Sequence, residues 1–166
     1  MSASLNASLP EQCKFVVGCA PAALTTTAGD GDYVSLKNYR RLTIILPVLN
    51  ATTVTGGAIT LLQATAVDGT SAKALAMTRM WANTDCAAGD TLTKTAVTSD
   101  TFTTNTTNSK QLLYVIEVLA EDLDVANGFD CVRIDSASMA NAVGAAIYLL
   151  DGARYGGTTP PAAITD

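Results

Sequence analysis

Histidine is absent from this chain of 166 residues. Without an imidazole the commonest general base and the commonest metal ligand are both missing, so neither a Ser-His-Asp triad nor a Cys-His pair can be assembled within one chain. Charge is scarce as well. Asp, Glu, Lys and Arg make up 15% of the residues, against about 25% in ordinary globular domains, and the formal net charge is −5. Gripping a phosphate backbone takes clustered Lys and Arg that release counterions, so nucleic acid is not an expected partner. The nearest basic cluster, KNYRR at Lys37–Arg41, reads as a solvated turn between two strands. No apolar run approaches the roughly 18 residues that a membrane helix needs. The first residues, MSASLNASLPEQCKF, lack the charged and apolar regions of a signal peptide, which predicts synthesis and folding in the cytoplasm with no membrane partner.

Aromatic residues are few, at 5% with one Trp, which weakens a sugar-binding reading that needs exposed rings. The four cysteines, Cys13, Cys19, Cys86 and Cys131, show no Cys-x-x-Cys spacing. A zinc or redox site is therefore not expected, and the better reading is reduced thiols acting as small hydrophobes. No metal and no cofactor is predicted.

What is plentiful is apolar and β-branched. Hydrophobic residues reach 48% and mean hydropathy is +0.26, a balance that leaves apolar surface seeking a partner. Threonine suits a pleated sheet and keeps an exposed strand wet without charge. Many short strand patterns follow one another between turn signals: Cys13–Val17, Tyr33–Lys37, Arg41–Leu46 ended by Pro47, Ala58–Ala66, Thr78–Ala82, the Thr-rich pair Thr91–Val97 and Thr101–Thr104, Gln111–Leu119, Phe129–Ile134 and Ala142–Leu150. RLTIIL at Arg41–Leu46 is apolar on both faces at Ile44–Leu46 and reads as an inner strand, while QLLYVIEVL at Gln111–Leu119, with β-branched and aromatic residues on both faces and one charge, Glu117, is the strongest strand. Ser71–Met77 fits either two helical turns or a β-edge. Ala120–Ala126 reads as a helical turn left through the left-handed Asn127-Gly128. The expected fold is all-β, a single-domain β-sandwich or jelly roll over residues 13–155, with short helical turns. Extended terminal arms, 1–12 and 156–166, flank it.

Chemistry-bearing patterns are weak. Glu117, Glu121, Asp122 and Asp124 cluster in sequence, yet four acids at a strand-to-helix junction read as a cap and a solvated face rather than a glycosidase pair. Asp30 and Asp32 alternate as in a calcium loop but lack the later oxygen ligands. Gly56-Gly57 is followed by no phosphate-binding Lys. The Asn-x-Ser/Thr triplets at Asn6, Asn50 and Asn105 carry no weight in an unexported chain. Trp81, beside Met80, reads as a core or subunit-interface anchor.

Five longer patterns carry a resemblance: YVSLKNY at Tyr33–Tyr39, LLQATAVDGTSAKAL at Leu61–Leu75, WANTDC at Trp81–Cys86, LDVANGFDCVRID at Leu123–Asp135 and PPAAITD at Pro160–Asp166. Together they resemble a family of small head-associated virion structural proteins of tailed bacteriophages. The resemblance implies a decoration or cement protein on the capsid surface of the virion, with the major capsid protein as partner and no catalytic residues to transfer. Another virion component, such as a tail or head-fibre protein, is the alternative, followed by a carbohydrate-binding β-sandwich module. The apolar excess predicts a homo-oligomer, taken as a trimer. Trp81, Pro160, Pro161 and Ile164 are the candidate capsid or subunit contacts, and the C-terminal arm is expected to contribute little to the stability of the domain.

Overall fold

Alternation along the strands decides the architecture. In RLTIILPVLN the side chains of Leu42, Ile44, Leu46 and Val48 are buried, while Thr43, Ile45, Pro47 and Leu49 turn the other way. In QLLYVIEVL the same rule buries Leu112, Tyr114, Ile116 and Val118. Period-two burial of this kind requires a sheet with one face against a core. The computed structural model describes residues 8–24, 31–154 and 159–165. It contains one helical turn, α1 (Leu9–Gln12), and eleven strands among the described residues. These are β1 (Lys14–Ala23), β2 (Val34–Ser35), β3 (Arg41–Asn50), β4 (Ala58–Ala64), β5 (Lys73–Ala74), β6 (Arg79–Asn83), β7 (Thr93–Thr95), β8 (Thr101–Thr103), β9 (Gln111–Leu119), β10 (Cys131–Ser136) and β11 (Ala142–Asp151).

Two antiparallel sheets form a β-sandwich. The first has six strands in the order β1-β11-β3-β9-β6-β7; the second has the order β2-β10-β4-β5, with β8 also paired to β4. Leu42, Ile44, Ile116 and Tyr148 from the first sheet meet Ile59, Leu61, Val132 and Ile134 from the second in one buried core. The all-β expectation is met, and β9 spans the residues expected of it. Ser71–Met77 resolves as a short edge strand, β5. The junction after β9 is two 3-10 turns, Ala120–Asp122 and Val125–Asn127, closed by Gly128 at φ 80°.

Pro47 does not end its strand, contrary to expectation. β3 runs on to Asn50 in the middle of the sheet, and the register supplies the reason. Pairing with β9 is continuous, with Pro47 opposite Leu113. On the β11 side the ladder is interrupted between Ile45/Ile147 and Val48/Gly144. The missing N–H thus falls where no pairing calls for it.

The C-terminal segment also departs from the sequence reading. Ala163 is fully buried within the main core, and its carbonyl accepts a hydrogen bond of 2.7 Å from the N–H of Ser35 in β2. The phenol of Tyr39 donates to the carbonyl of Pro161. Tyr39 is itself fully buried, so the KNYRR turn carries a core anchor rather than being wholly solvated. Within residues 159–165 the sandwich thus holds Ala163 and the Pro161 carbonyl, while Ile164 stays exposed.

Tyr148 ties the two sheets together. From β11 it crosses the core, and its phenol oxygen accepts a 3.1 Å hydrogen bond from the N–H of Ile134 in β10. A Cβ added at Gly18 would overlap its ring, and one at Gly31 its hydroxyl. Burial pushes the phenol ionisation of Tyr148, Tyr114, Tyr39 and Tyr33 upward. In the unfolded chain these phenols release protons near pH 10. The folded state holds them longer, so stability is unaffected below that pH and falls as pH rises through and beyond it. The Cys13 thiol, also raised by burial, adds the same sign from a lower starting point. Melting temperature is therefore expected to drop steeply above about pH 10, with phenolate absorbance appearing together with unfolding. Phenolate forming well before any loss of melting temperature would contradict this.

Candidate interaction surface

The two sheets treat their outward faces differently. On the second sheet Tyr33, Ala64 and Cys131 form a small buried cluster against which Leu62 and Val67 pack. Gly69, in the turn after β4, lies against the Tyr33 ring, and the Arg133 guanidinium stacks 4.8 Å from that ring while pairing with Asp135 at 2.9 Å. That part of the face is covered by its own chain.

The first sheet has no such cover among the described residues. Register places Val17 opposite Ile147, Ile147 opposite Ile45, Ile45 opposite Val115, and Val115 opposite Trp81. An apolar row thus crosses five neighbouring strands on the outward side. Val17 is 60% exposed and Ile147 38%. A second row links Pro47, Leu113 and Asn83, and a third links Val143 and Leu49, the latter 50% exposed. Beside these, an apolar groove of about 490 Å³ is lined by Pro21, Pro47, Leu49, Leu113, Val143 and Ala145. β-branched and leucyl side chains standing this way on a pleat normally face a core.

Charge lies at the margins of the face: Lys94 of β7 stands opposite Trp81 at the end of the row, and the rest is paired at the other end. Arg41 bridges Asp151 at 2.6 Å and approaches Glu117 at 3.7 Å, while Arg79 holds Asp122 at 2.6 Å. The Arg79 guanidinium is held charged by its hydrogen bond to Asp122, as Arg41 is by Asp151. Asp122 also accepts the N–H of Leu119 at 2.8 Å. Asp124 pairs with Lys73 and accepts from the Asn127 amide, which holds its carboxyl below the usual range. Glu121 lies apart, lining a hollow of about 640 Å³ with Arg40 and Arg154. Asp122 and Asp124 are thus each committed to a cation, and Glu117 shares Arg41 with Asp151.

Of the sequence candidates, Trp81 lies half-buried on this outward face, not in the core. Pro160 and Pro161 are half-buried and Ile164 is 53% exposed, in the segment that pairs with β2 of the other sheet. The structure therefore places Trp81 on the first sheet and the tail beside β2 of the second. Asn50 is buried, its amide donating to the carbonyls of Asn105 and Thr107, a structural clamp rather than a sequon. Asn6 and Asp30 lie outside the described residues. Cys13, Cys19 and Cys131 are buried, Cys86 is half-buried, and none of the four is in a disulfide. Among the described residues no cluster of three or more Cys, Asp or Glu is arranged to hold a metal ion. No helix of the described residues is long and apolar enough to cross a membrane.

Fold and surface together define an antiparallel two-sheet β-sandwich with one sheet face that is apolar and, among the described residues, uncovered. Among solved structures it is similar to the SPBc2 prophage-derived protein YomS, at a TM-score of 0.46 and 12% sequence identity over 84% of this chain and 93% of that one. No family model matches the chain, and no curated protein matches it.

Proposed function

We propose that the chain is a structural protein of tailed-bacteriophage particles, a decoration or cement protein that attaches to the outer capsid surface and stabilises the head. The reading is carried by the apolar row across the first sheet, a surface suited to lasting contact with protein and not to turnover of a substrate. It is supported by the five sequence patterns that resemble head-associated virion proteins. In this role the protein is no enzyme and takes no cofactor. It is made in the host cytoplasm, self-associates, and binds the major capsid protein at many symmetry-related positions, where multivalency turns modest contacts into durable reinforcement.

The test is addition of purified protein to capsids that lack it, followed by cosedimentation and heating. Saturable binding at a fixed copy number, with capsids that survive higher temperature, is the expected result. Capsids that neither bind the protein nor gain stability would overturn the reading.

A further inference from the structure

We propose that the outward face of the first sheet is where a second copy of this chain packs. This deepens the reading above by naming the surface through which the protein self-associates.

Size supports a second copy as the occupant. β1, β3, β9 and β11 are nine or ten residues long and β6 and β7 extend the sheet. At about 4.8 Å between strands and about 3.3 Å per residue they make a face of roughly 700 Å². Two such faces bury roughly 1,400 Å², within the span of about 1,200–2,000 Å² typical of stable interfaces.

Charge supports the same occupant. The chain carries −5 overall, so two copies meeting through most surfaces repel. The outward face is different. Arg41, Arg79 and Lys94 border it together with Glu117, Asp122 and Asp151, which balance, while its centre, from Val17 to Val115, is uncharged. A like face meets no like charge at its centre and no demand for an oppositely charged partner. Sheet-on-sheet packing is also the arrangement that such side chains already adopt on the inner side of the same strands.

The test is sedimentation velocity on the full chain from low to high micromolar concentration, with Ile45→Lys, Ile147→Lys and, as a control on a turn outside the face, Val125→Lys. Self-association is expected for the wild type and for the Val125 variant. The two face variants should run as monomers with unchanged circular dichroism, their association weakened more than tenfold. If a lysine variant fails to fold, Ile147→Thr, which keeps a β-branched side chain, decides by a measurable weakening or its absence. A wild type that stays monomeric throughout, or face variants that associate as the wild type does, overturns the proposal. A monomeric wild type whose capsid binding is lost in Ile147→Lys would assign the face to the shell, ending this inference and leaving the virion reading standing. Association through the face without capsid binding would do the reverse.

Discussion

Tyr148→Ala is expected to remove most of the stability of the fold. Emptying a fully buried aromatic site costs about 3–5 kcal/mol. The Ile134 N–H, which now donates to the phenol, is left unsatisfied between the sheets at a further cost of about 1–3 kcal/mol. Against a total stability of about 5–15 kcal/mol for an ordinary domain, the variant should be partly unfolded at room temperature. Tyr148→Phe isolates the hydrogen bond and should cost about 1–3 kcal/mol. Gly18→Val attacks the same contact from the opposite side, because a Cβ there would overlap the ring. Guanidinium unfolding midpoints measure all three. A Tyr148→Phe midpoint equal to that of the wild type would mean that water replaces the phenol without loss, and the inter-sheet tie would be of no energetic consequence.

Removing Pro160–Asp166 is expected to lower stability by about 2–4 kcal/mol. Two acceptors leave together, the Pro161 carbonyl from the buried Tyr39 phenol and the Ala163 carbonyl from Ser35, each taken at about 1–2 kcal/mol, the lower part of the range for a buried group left unsatisfied. At about 2–4 °C per kcal/mol for a chain of this size, the melting temperature should fall by roughly 5–15 °C. Calorimetry on full-length and truncated chains checks this, and identical melting would show that the tail contributes nothing. Truncation is consequently a poor probe of capsid contact, since it perturbs the core as well. Ile164→Asp is the cleaner one: the side chain is 53% exposed, so its loss should leave the melting temperature unchanged and report on binding alone.

The alternation in AITLLQA predicts which side chains turn inward, and Ile59, Leu61 and Gln63 do so. Gln63 shows where sequence reasoning stops. A buried amide looks unfavourable in a one-dimensional pattern, yet here it accepts from the N–H of Asp124 at 2.9 Å and donates to the carbonyl of Ala74 at 3.4 Å, partners 61 and 11 residues away. Similarly, Pro47 reads as a strand end because its missing N–H is a local fact. Whether a neighbour needs that N–H is a matter of register, set only when β11 docks. The double-sided apolar character of RLTIIL, QLLYVIEVL and AVGAAIYLL was the legible trace of the bare face. In RLTIIL it reads as an inner position in the sheet, which β3 does occupy, but in an antiparallel sandwich it also means that the second side is dressed for contact.

The sequence by itself determined the all-β class, most of the strands and their inward side chains, and the left-handed exit at Gly128, because these depend on period, propensity and turn chemistry within a few residues. It also determined that no histidine chemistry operates within the chain. Only the tertiary structure decided that Ala163 closes the core beside β2, that Tyr148 bridges the sheets, and that Val17, Ile147, Ile45, Val115 and Trp81 align in one row. Strand order and register between distant segments create those juxtapositions, and they arise from long-range packing that no local pattern encodes.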